Sequence, residues 1–72
     1  MTDRRRALAK ELYDHLNSGK IQVNPEGKLP SERDMASALG VTRPLLRQAI
    51  AVLEAFGLLE IRDRQGIFMP RH

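Results

Sequence analysis

The side chains best able to do chemistry in this chain are arginines in its second half. Arg43 and Arg47 lie four residues apart, a spacing that places both on one face of a helix. A guanidinium is a planar fork of donors that fits phosphate oxygens or the O6/N7 edge of a guanine. No Asp or Glu occurs between residues 35 and 53, so this stretch reads as basic and uncompensated. The net charge of the 72-residue chain is only +3, so the clustering of its cations rather than their sum points to a nucleic acid. Arg62, Arg64 and Gln65 form a second polar group around a predicted turn. Other chemistries lack their residues. There is no cysteine for a disulfide or a thiolate zinc site, and neither His15 nor His72 sits in a cluster with metal-ligand spacing. Ser31 has no nearby His and acid partner. No catalytic constellation and no cofactor are expected, and with no long apolar run or secretory leader the reading is of a cytoplasmic protein.

The elements that must position these side chains can be read from period and punctuation. Leu8, Leu12 and Leu16 form one apolar stripe, which predicts a helix over 3–18 with Asp3 as cap and Gly19 as stop. Residues 20–28 contain Asn24-Pro25-Glu26-Gly27 and read as a loop, with room for a short extended piece at 21–23. Ser31 caps a second helix whose buried face is Met35, Ala36 and Leu39, and Gly40 ends it. Thr42 caps a third helix, with Pro44 in its first turn. That helix is predicted to run over 43–56 with Leu46, Ala49, Ile50, Leu53 and Phe56 inward, and Arg43, Arg47, Gln48, Ala51 and Glu54 outward. After Gly57 the period becomes two. Residues 58–62 read as a strand with Leu59 and Ile61 on one face, 63–66 as a turn and 67–69 as a return strand, with a third short strand possible near Lys28 and Leu29.

Two short helices joined by a tight glycine-containing turn form a helix-turn-helix, in which the first helix braces the second against a duplex. The hairpin that follows carries Arg62, Arg64 and Gln65 and reads as a wing. The fold class expected is mainly α with a small β-hairpin, a winged helix-turn-helix of three helices plus wing. The runs Leu29-Pro30-Ser31-Glu32-Arg33, Leu39-Gly40-Val41-Thr42-Arg43 and Leu53-Glu54-Ala55-Phe56-Gly57-Leu58-Leu59 resemble the DNA-binding domain of the GntR family of bacterial transcription regulators. The start Thr42-Arg43-Pro44 is similar to its FadR-type branch. The resemblance runs from the first helix to the wing.

That resemblance implies sequence-specific binding of double-stranded DNA, with helix 43–56 in the major groove and the wing, 62–67, at the minor groove or backbone. Arg33, at the start of the second helix, is implied to contact DNA. Thr42, Arg43, Pro44 and Leu45 lead the reading helix, Arg47 follows one turn later, and Arg64, Gln65 and Gly66 approach from the wing. Leu45 stands where the family commonly has Ser or Thr, and is expected to be exposed at the groove against a thymine methyl. Asp63 weakens the wing's attraction to phosphate. The family continues into an effector-binding domain, so 1–72 is read as the DNA-binding domain with that domain absent. The partner expected is a palindromic operator bound by two copies, with no membrane; the chain alone is expected to be a monomer or weak dimer. The competing class is a winged-helix module for protein contacts, which would expose an apolar patch on the third helix.

Overall fold

The computed structural model describes residues 3–70, so the reading made for His72 lies outside the described residues. Helix α1, Arg4–Ser18, is capped by Asp3, whose side chain accepts from the Arg5 N–H at 3.0 Å, and it buries Leu8, Ala9, Leu12 and Leu16. The Arg4-Arg5-Arg6 run is the exposed first turn of this helix, with Arg5 and Arg6 both paired to Asp3. Helix α2, Glu32–Leu39, begins where Ser31 Oγ accepts from the Asp34 N–H at 3.1 Å. Gly40 ends it at φ 66, a left-handed conformation that a Cβ disfavours. This reversal lets the Val41 N–H return to Ala36 O at 3.0 Å, so only Gly40, Val41 and Thr42 separate the helices.

Helix α3, Arg43–Ala55, opens with Thr42 Oγ1 accepting from the Leu45 N–H at 3.3 Å and Pro44 in the first turn. It packs against both α1 and α2, and Leu12, Met35 and Leu46, one from each helix, are the largest fully buried side chains. The predicted inward position of Phe56 is corrected: it is 72% exposed. The helix ends at Ala55, and Phe56 is its cap at φ −86, ψ 1, so the helical wheel no longer governs its direction. The chain turns back at Gly57, and the Leu58 N–H returns to Leu53 O at 2.9 Å.

Strands β1, Glu60–Arg62, and β2, Gly66–Phe68, pair antiparallel with Glu60 opposite Phe68, Ile61 opposite Ile67 and Arg62 opposite Gly66. Lys28 bridges to the other side of Phe68, so β2 has partners on both edges, and the third short strand is reduced to this one bridge. No strand forms at 21–23, although Ile21 is buried. The expected shared face of Leu59 and Ile61 is also corrected. Leu59 is buried ahead of the strand, whereas Ile61 is 48% exposed, because the hairpin directs Phe68 of the return strand inward instead. Among the described residues no helix is long and apolar enough to cross a membrane.

Candidate nucleic-acid interface

Arg43 occupies the first position of α3 and Arg47 the next turn, and both side chains are exposed. They share an acid from outside their own helix. Glu32, the first residue of α2, accepts at Oε1 from Arg47 Nε at 2.8 Å and from Arg43 Nη2 at 3.4 Å. The expectation of an uncompensated basic stretch is thus corrected: within 35–53 there is no acid, but the tight turn brings one against it. The Arg47 hydrogen bond is the main cause holding the Glu32 carboxyl below its ordinary range. The charge of Arg47 and the weaker Arg43 contacts add to it, against the opposing effect of partial burial. Surface pairs of this kind stabilise a fold by about 0–1 kcal/mol, so the arrangement does little for stability. It brings two guanidinium groups side by side. Arg47 uses only its Nε, so its terminal nitrogens have no protein partner among the described residues. They are free for a two-pronged contact with a base edge.

Sequence reasoning missed Glu32. It is 11 residues from Arg43 and 15 from Arg47, and no local spacing signals such a pair. The available hint was that an acid-free helix following a three-residue turn has the acids of the preceding helix as its nearest neighbours.

The other predicted residues divide by face. Arg33 is exposed in the first turn of α2, and Thr42 and Pro44 are exposed at the leading end of α3. The expected exposure of Leu45 is corrected. It is half-buried and packs against the core, lining a groove with Ala7 and Leu8 of α1 and Val41. At 100° per residue, Leu45 is turned about 200° from both Arg43 and Arg47, so a helix that presents those arginines outward carries Leu45 to the opposite side.

On the wing, Arg62 is tied to Glu60 Oε1 at 2.9 Å and its guanidinium lies 4.0 Å from the centroid of the Phe68 ring. Arg64 has no such ties among the described residues and stands in the turn at φ 62, an uncommon backbone state for a residue with a side chain. Gln65 beside it is exposed. Arg64 and Gln65 at the wing tip and Glu32, the shared partner of Arg43 and Arg47, line an open cleft of about 420 Å³. Among the described residues, no group of His, Cys, Asp and Glu could hold a metal ion.

Comparison with known proteins agrees with this geometry. Residues 4–69 match the family described as bacterial regulatory proteins, gntR family. The Uxu operon transcriptional regulator of Escherichia coli (strain K12) is 44% identical over 50 residues, covering 69% of this chain and 20% of that protein. The uncharacterized HTH-type transcriptional regulator YihL of the same organism is 44% identical over 63 residues, 88% of this chain and 26% of that protein. The chain therefore spans about a quarter or less of these relatives. Among solved structures, the AraR DNA-binding domain in complex with operator ORX1 superposes with a TM-score of 0.74 at 31% identity, over 97% of this chain and 82% of that one.

Proposed function

Since the chain belongs to the gntR family of bacterial regulatory proteins, we propose that it is the DNA-binding unit of a transcription regulator that recognises a specific double-stranded operator. The observation that carries this reading is the pair Arg43 and Arg47, held side by side by Glu32 at the exposed leading end of α3. A helix entering the major groove by that end brings two preset guanidinium forks to base edges. The AraR domain that shares this fold was solved with an operator, which supports the same use here.

In this reading Arg43 and Arg47 read bases. Arg33, Thr42 and Pro44 border the groove near the phosphates, and Arg64, Gln65 and Gly66 meet the backbone or minor groove from the wing. Leu45 seats the helix on α1 rather than touching a base. Thr42-Arg43-Pro44 supports assignment to the FadR-type branch. A single module of this size reads a short half-site, so two copies on a palindrome are proposed, with a cytoplasmic location. Selection of bound sequences from a random duplex pool tests the reading. Enrichment of one short motif is expected; recovery of a pool with no sequence bias overturns it.

One observation favours a protein-contact surface as well. Phe56, with Tyr13, Val52 and Leu58, lines an apolar groove on the side of α3 away from Arg43 and Arg47. That face is compatible with DNA binding because the two lie on opposite sides of the helix.

A further inference from the structure

Lys28 belongs to neither the helix pair nor the hairpin, yet its backbone is fixed to the wing. It bridges to Phe68, the Leu29 N–H donates to Ile67 O at 2.8 Å, and the Met69 N–H donates to Gly27 O at 2.7 Å. From the other side, Asn24 Oδ1 accepts from the Lys28 N–H at 2.8 Å and the Asn24 N–H donates to Lys28 O at 3.0 Å. The constrained backbone places this exposed lysine at the edge of β2, and its side chain runs over Gly66. A Cβ built on Gly66 would lie 2.9 Å from Lys28 Cε and 3.7 Å from its Nζ. The lysine stem therefore passes directly over the bare α-carbon of Gly66. Lys28 and Arg64 line the same cleft, and neither makes an ion pair among the described residues. The other wing arginine, Arg62, is bound to Glu60.

We infer that Lys28 is a cation of the wing, making a DNA phosphate contact beside Arg64. This rests on the DNA-binding reading above and extends the wing's charged surface to a residue far from 62–67 in sequence. A lysine ammonium is a compact point charge that recognises phosphate but carries no base-specific geometry, so its contribution is the same on every sequence.

The test is Lys28→Met, which keeps the apolar stem and removes the charge. Affinity is measured against salt on a mixed random-sequence duplex and on the duplex selected from the pool, with melting recorded in parallel. One lost phosphate contact makes the slope of log K against log salt shallower by about 0.9. The wild-type advantage then shrinks roughly 3.5-fold for a fourfold rise in salt. The result expected is this change on both duplexes alike, with an unaltered melting temperature and the slope restored by Lys28→Arg. A Lys28→Met slope equal to wild type overturns the inference, as does a loss confined to the selected duplex. A wild-type chain that shows no salt-dependent duplex binding overturns the DNA-binding reading, and this inference with it.

Discussion

The leading end of α3 and the wing both present cations, but they hold them differently. Arg43 and Arg47 share one carboxylate, half-buried at the start of a neighbouring helix, and that helix packs on the same core. Arg64 projects from a turn, with no ion pair among the described residues, on a hairpin of two three-residue strands. Reading a base demands a donor fork placed within tenths of an ångström, which favours side chains ordered before the duplex arrives. Attraction to phosphate demands only charge within reach. In the proposed reading the first region serves discrimination and the second adhesion.

The largest effect that could break this comparison is loss of a reading arginine. Arg43→Ala and Arg47→Ala are each expected to cost about 1–3 kcal/mol on the selected duplex and to relax preference at one base position. Titration against selected and random duplexes checks this; equal losses on both would move these residues to the adhesive class. Next is Leu45→Ser. A fully buried leucine cut to a small side chain costs about 2–5 kcal/mol, and half-burial reduces that to about 1–2 kcal/mol. For a domain this small, melting should fall by about 5–15 °C with the base preference intact. An unchanged melting temperature would return Leu45 to the groove.

A smaller and more diagnostic effect is expected at Glu32. Glu32→Gln removes a negative charge near the duplex, so random-sequence affinity should rise. The arginines lose their common anchor, so discrimination between selected and random duplex should fall by roughly 1.5- to 5-fold, the range of an exposed ion pair. The pH dependence has a definite sign. The Glu32 carboxyl is lowered on folding, so its pairing is present above the ordinary carboxylate range and is lost as pH falls through the depressed value. Discrimination should therefore persist while ordinary carboxylates protonate, and fade only below them. The smallest effect is on the wing. Arg64→Asn places a residue tolerant of positive φ in the turn, so stability is kept while affinity falls by the same small factor on all sequences.

What was legible in the sequence was local. Asp3, Ser31 and Thr42 each cap a helix by bonding an N–H two or three residues ahead, and such signals need no knowledge of the rest of the fold. The apolar stripes of α1 and α3 likewise follow from period alone. Two misreadings came from extending a period past its element. Phe56 lies one residue beyond the last turn of α3, and Leu59 lies one residue before β1. The functional geometry was less legible because it depends on residues distant in the chain. Glu32 meets Arg47 only after the turn at Gly40 folds α2 against α3, and Lys28 crosses Gly66 only after β2 gains its second partner. The half-burial of Leu45 was not legible from the family resemblance, which places this position at the groove, because it depends on where Ala7 and Leu8 of α1 pack.

The most direct test of the division between reading and adhesion is a set of three selections from one random duplex pool, using wild type, Arg47→Ala and Arg64→Asn. The account predicts that wild type and Arg64→Asn recover the same motif, with the second bound more weakly throughout. Arg47→Ala should recover that motif with one position degenerate. A motif altered by Arg64→Asn, together with one unaltered by Arg47→Ala, would contradict it.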